Sequence, residues 1–252
     1  MGLHYHGAEG AYLSGDFDQA EAWYASALQG AKTPLDQAAI YRIQVTHYHF
    51  QGRNKEAIAI QRKSTELLGW SIPTGEAQIQ ASLEQQIETV ASFLQDRTIP
   101  SLLDHPQMTD VAVAEILRIL QILLYAAWLD GQTTLSLEYG NSEMSPFGYV
   151  GYGLIANVVL HDPAQGYDFG SMAVQLCEQF NNADVQGMTN FLFAADVHGW
   201  ARPLREADRY YDNGYKYSME AGNWLTVSFV MMLGGSERLT YGAPLEELHR
   251  TA

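Results

Sequence analysis

Gly15-Asp16-Phe17-Asp18-Gln19-Ala20 returns 37 positions later as Gly52-Arg53-Asn54-Lys55-Glu56-Ala57. Farther along, Pro203 follows Pro163 by 40 positions, and Pro203-Leu204-Arg205-Glu206-Ala207 is echoed 41 positions on by Pro244-Leu245-Glu246-Glu247-Leu248. A unit of 37–41 residues holds two helices of about 15 residues and two turns. One such pair exposes an apolar face that only the next pair can cover, so the period predicts an all-α fold: an α-solenoid of antiparallel helix pairs forming one domain over residues 1–252. The repeat is more regular over 1–70, irregular over 71–145, and resumes as further helix pairs over 146–252.

Helix punctuation agrees with that period. Thr33-Pro34-Leu35-Asp36 supplies a capping hydroxyl, a proline at the first helical position and an acid at the third. Asp162-Pro163-Ala164-Gln165 repeats the device, Ser145-Pro146 has its first half, and Asp16-Phe17-Asp18-Gln19 has it without proline. Ile79, Leu83, Ile87, Val90 and Leu94 form one stripe of a helix over about 76–95. The one strand signal is Asn213-Gly214 between tyrosines, a hairpin dipeptide. Leu204, Ala207, Tyr211, Gly214 and Ser218 nevertheless keep helical spacing across it, and helix is the reading adopted.

Charge narrows the partners. Fourteen Lys and Arg against 29 Asp and Glu leave a formal charge of −15, which repels a phosphate backbone, so nucleic acid is not an expected partner. The single cysteine, Cys177, cannot form an internal disulfide and fits a reducing, cytoplasmic setting. No basic and apolar leader opens the chain, and the apolar run from Val111 to Leu129 carries Glu115, Arg118 and Gln121, so neither export nor membrane insertion is expected.

Gly15 to Ala20, followed by Trp23-Tyr24 and Ala27-Leu28, resembles the turn and second helix of a tetratricopeptide repeat, where small residues sit at the helix crossing and aromatics fill the space beside them. The likeness extends over residues 35–70, with Asn54 in place of the turn aromatic and Ser64 in place of the small alanine. On a longer scale, Ala31-Lys-Thr-Pro-Leu-Asp36, Gly52-Arg-Asn-Lys-Glu-Ala57, Pro106-Gln-Met-Thr-Asp110, Tyr139-Gly-Asn-Ser142 and Tyr149-Val-Gly-Tyr-Gly-Leu-Ile155 resemble the helical region of large bacterial multi-sensor signalling kinases, over roughly residues 25–235. In those proteins the region lies between an AAA-type ATPase module and sensor and kinase modules. The resemblance implies a right-handed superhelix and a non-enzymatic interaction or regulatory scaffold in a larger signal-transduction protein, or a relative that has lost its neighbours.

Motifs with chemical potential are few. Gly151-Tyr152-Gly153-Leu154-Ile155-Ala156 matches a dinucleotide fingerprint, with Asp168 beyond it, but the preceding loop runs into a helix start rather than following a strand. His4 and His6, like His47 and His49, are spaced i, i+2, which on a helix turns the rings about 200° apart. These are read as surface or groove histidines; no metal or cofactor is expected, and neither a phosphate-cradling loop nor a nucleophile elbow is present. Asp104, Asp110 and Asp162 are read as standing at helix starts.

Fifteen tyrosines and five tryptophans suit a binding surface. If the first helix of each pair lines a concave face, its outward stripe is Tyr5, Glu9 and Tyr12, then Arg42, Thr46 and His49, with Tyr149, Tyr152 and Asp196 from later pairs. The expected occupant is a protein or peptide, or a flanking domain of the parent chain. The rival reading is a small-molecule sensor, with Trp200 or Trp224 stacking on a ligand; an enzyme without a sequence signature ranks third.

Overall fold

The computed structural model describes residues 7–8, 10–12, 14–122 and 131–244, and among them it is all-helical. Its contacts gather into two compact units, Met1–Gln85 with Thr109–Asp130, and Gln86–Met108 with Gly131–Ala252.

The first unit contains α1 (Phe17–Gly30), α2 (Pro34–Phe50), α3 (Asn54–Leu67), the start of α4 (Glu76–Phe93), and α5 (Val111–Gln121). The echoed strings mark one repeated turn. Gly15 and Gly52 both take a left-handed backbone, with φ +80° and +73°, and each begins a five-residue return: Asp16 N–H donates to Ala11 O and Arg53 N–H to Tyr48 O, both at 2.9 Å. Asp16 then caps α1 by accepting from Gln19 N–H. Thr33 and Asp36 close a reciprocal capping box at α2. A three-residue link leaves α2 and α3, which pack closely, no choice but to run antiparallel.

The equivalent alanines of the two strings, Ala20 and Ala57, are both buried at helix crossings, Ala20 with Ala8, Tyr24 and Ile40, Ala57 with Val45 and Tyr48. Where α1 uses Tyr24, α3 uses Gln61, whose amide reaches Ile119 O of α5 at 2.9 Å; Ser64, at the alanine position, donates to Ala38 O. Thus α5 packs against the α2–α3 pair.

Glu115, in the middle of the apolar run, is 5% exposed and paired with Arg42 at 2.7 Å and Arg118 at 3.3 Å. No helix among the described residues is long and apolar enough to cross a membrane. Arg42→Met leaves Glu115 only the more exposed Arg118, and is expected to lower folding stability by about 2 kcal/mol, below the cost of opening a fully buried pair; equilibrium urea unfolding checks the value.

The second unit begins with the end of α4 and a 3-10 segment, Ile99–Asp104. It continues through α6 (Gln132–Tyr139), α7 (Ser145–Val158), α8 (Pro163–Phe180), α9 (Ala183–Leu192), α10 (Asp208–Ala221) and α11 (Trp224–Thr240). Asn181 and Gly222, 41 residues apart, repeat the left-handed turn and precede the capping residues Asn182 and Asn223. The α7–α8 and α9–α10 pairs pack most closely, because small residues meet at the crossings: a Cβ on Gly153 would stand 2.8 Å from Gly166 O.

Some local expectations hold and others change. Asn213-Gly214 lies inside α10, and Leu204, Ala207, Tyr211, Gly214 and Ser218 do face inward, Leu204 only in part. Pro203 leads first into a 3-10 turn, Leu204–Ala207, before α10. The glycines of the dinucleotide-like string lie within α7, where no loop exists to cradle phosphate. Ser145 is not the cap of α7: it is buried, its hydroxyl accepts from Ser142 N–H and Ser136 Oγ, and the cap position is Met144. Asp110 and Asp162 cap α5 and α8, whereas Asp104 ends its 3-10 segment. The stripe of α4 is mostly half-buried, with Val90 its one buried member. The echo at 245–248 lies outside the described residues.

Candidate interaction groove

The repeated turns of the first unit bring aromatic side chains to one place. Tyr12, Gly15, Phe17, Phe50, Gln51 and Arg53 line an open groove of about 650 Å³. Phe17 opens α1 and Phe50 ends α2, so both stand where helices meet turns; they are 46% and 61% exposed, more than a chain gains by leaving phenylalanine in water.

A polar network fixes the groove wall from behind. The Tyr12 ring stacks on the His47 imidazole, centroids 3.8 Å apart and nearly parallel, and Tyr24 Oη is hydrogen-bonded to His47 Nδ1. Burial drives the His47 pKa down to about 4 and raises the Tyr24 phenol, so the pair is neutral at ordinary pH. Arg53 lies over the Tyr48 ring at 4.0 Å and is held by Glu21 at 3.2 Å and Glu56 at 3.1 Å. Its guanidinium is thus already paired with two carboxylates, so the groove has aromatic walls and no free positive charge at Arg53.

The residues expected from sequence divide. Tyr5 and Glu9 lie outside the described residues. Tyr12 lines the groove, but through its contact with His47 rather than with the Arg42, Thr46 and His49 stripe. That stripe does share one half-buried face of α2: Arg42 is engaged by Glu115, Thr46 donates to Arg42 O, and His49 pairs with Asn54. His47 is a buried core residue, not a surface one.

Tyr149 and Tyr152 are corrected outright. Both are buried, packed on Phe169 of α8, because the close α7–α8 crossing turns the expected open face inward. Tyr149 Oη donates to Asn141 Oδ1 at 2.9 Å, while Asn141 also bridges to Gln107 and donates to Leu102 O.

Asp196 sits in the second unit on a π-helical turn, Phe193–Val197, which ends α9. Desolvation lifts its carboxyl to about 6. Its charge is felt by Tyr211 and by Glu237, whose carboxyl burial also raises. Cys177 is buried, its thiol pushed up to about 12. Among the described residues no group of three His, Cys, Asp or Glu is placed to hold a metal ion.

Sequence reasoning missed Phe17, Phe50, Gln51 and Arg53 because it followed the helix stripe. The repeated turn itself was their signal, since Phe17 stands two residues after Gly15 and Phe50 two residues before Gly52. No protein-family model, curated protein or solved structure matches this chain.

Proposed function

We propose that the protein is a non-enzymatic interaction module whose helix pairs stack as a tetratricopeptide-like, right-handed solenoid, and that the Tyr12–Phe17–Phe50–Arg53 groove receives a segment of another protein or of a flanking domain. The observation that carries this reading is the pair of exposed phenylalanines over a groove whose wall is fixed by Tyr12 and His47. The carboxylates of Glu21 and Glu56 at Arg53 and the net charge of −15 favour an extended segment with an apolar anchor and basic neighbours. A regulatory role within a larger signal-transduction protein rests on the sequence resemblance.

Selection from a displayed random-peptide library tests it. Peptides combining an aromatic or aliphatic residue with Lys or Arg should be enriched on the wild type, and Phe17→Ser with Phe50→Ser should weaken their binding about tenfold or more. Enrichment of unrelated sequences, or equal binding to the double variant, counts against the groove.

A sensing role draws instead on Asp196, Tyr211 and Glu237 beside the π turn, where half-buried carboxyls of raised pKa adjoin a buried phenol. A ligand there would raise the melting temperature of the wild type and not that of Asp196→Asn.

A further inference from the structure

The last described helix, α11, buries Thr226, Val227, Val230, Gly234 and Arg238 against its own unit. Its opposite side exposes Trp224, Leu225, Phe229, Met231, Met232 and Leu239, each between 36% and 65%. At about 200 Å² for a large side chain these fractions amount to about 600 Å² of apolar surface, larger than an isolated chain ordinarily leaves in water and near the roughly 800 Å² each partner gives to a standard interface.

Charge and spacing say what covers it. The charged residues of α11, Glu237 and Arg238, both lie off this face: Arg238 is buried and holds Asp208 at 3.2 Å and Asp212 at 2.8 Å, and Glu237 turns toward Tyr211. On a chain of net charge −15, a charge-free apolar face is where an equally acidic molecule meets the least local repulsion, which salt screens further. Leu225, Met232 and Leu239 recur every seven residues, and Ser228 and Gly235 occupy the other seam position of the same heptads. A Cβ on Gly235 would meet nothing in its own chain. Parallel pairing would set large on large and leave a gap at Gly235. Antiparallel pairing sets each large residue on a small one.

We propose that α11 is a homodimer interface, two copies packing antiparallel about a two-fold axis with Met232 and Leu239 of one copy over Gly235 and Ser228 of the other. The surface is therefore self-complementary, and the partner is a second copy of this chain.

Sedimentation equilibrium of the 252-residue chain tests this. At about 50 µM the wild type should run at twice the protomer mass, with Kd in the micromolar range. Gly235→Leu adds a side chain where its own protomer has open space and should raise Kd about 100-fold or more, while thermal unfolding of protein diluted below the wild-type Kd starts no lower than in the wild type. Met232→Glu should do the same by placing a charge in the seam. A wild type at protomer mass at about 50 µM overturns the proposal and leaves the face to another protein or a further helix. A dimer whose Kd neither variant changes overturns it equally, and locates the dimer contact elsewhere.

Discussion

Tyr149→Ala is expected to lower folding stability by about 3–5 kcal/mol, the range for deleting a large buried aromatic. Tyr149 has no exposed surface, its ring is 6.3 Å from Phe169, and its hydroxyl donates to a buried asparagine. The substitution empties the space between α7 and α8 and orphans Asn141 Oδ1 in one step. Tyr149→Phe separates the two contributions: it keeps the ring and should lose only about 1–3 kcal/mol, the cost of an unmet buried acceptor. Urea unfolding of both variants provides the measurement. A Tyr149→Ala protein as stable as the wild type would mean the tyrosine faces water, as the sequence stripe suggested, and would contradict the packing of the second unit.

Acidification should weaken the first unit through His47. The imidazole titrates at about 4 when folded and near its ordinary 6.5 when unfolded. Between those values the unfolded chain binds the proton and the folded chain does not, so stability falls as pH drops below 6.5, and the loss levels off below about 4. The difference is worth about 3 kcal/mol across the window. Asp196 acts with the opposite sign, since a carboxyl raised to about 6 binds its proton first in the folded state. His198, lowered by burial, adds to the loss on acidification. Comparing the wild type with His47→Gln removes both of these common contributions. The variant should keep its hydrogen-bonding potential toward Tyr24 and lose much less stability between pH 7 and about pH 4.5; equal pH slopes would show that His47 is solvated.

What could be read without coordinates was whatever depends on local backbone chemistry. The glycine turns at Gly15 and Gly52, the caps at Asp16, Thr33 and Asp162, and the helical spacing through Asn213-Gly214 all depend on neighbours in the chain, and all appear as read. Ser145 did not, because its hydroxyl accepts from Ser136 and Ser142 and makes no bond to the helix it opens. Side-chain direction was legible only where one helix face decides it. Arg42, Thr46 and His49 share a face, as their spacing requires, yet Glu115, 73 residues away, determines that Arg42 is engaged. Tyr149 and Tyr152 turned inward because the α7–α8 crossing is made by glycines, and a tyrosine beside a close crossing is surrounded on both sides. The groove itself was illegible from a stripe, since Phe17 and Phe50 belong to the ends of two helices rather than to one face of either.

The groove is the central claim, and photo-crosslinking tests it most directly. With Phe50 replaced by p-benzoylphenylalanine, a library-selected peptide should form an adduct on irradiation, and excess unlabelled peptide should suppress it. The same photoreactive residue at Val158, an exposed position of the second unit, should give none. Equal adducts at both positions, or an adduct that the unlabelled peptide fails to displace, would contradict a binding groove at Tyr12, Phe17, Phe50 and Arg53.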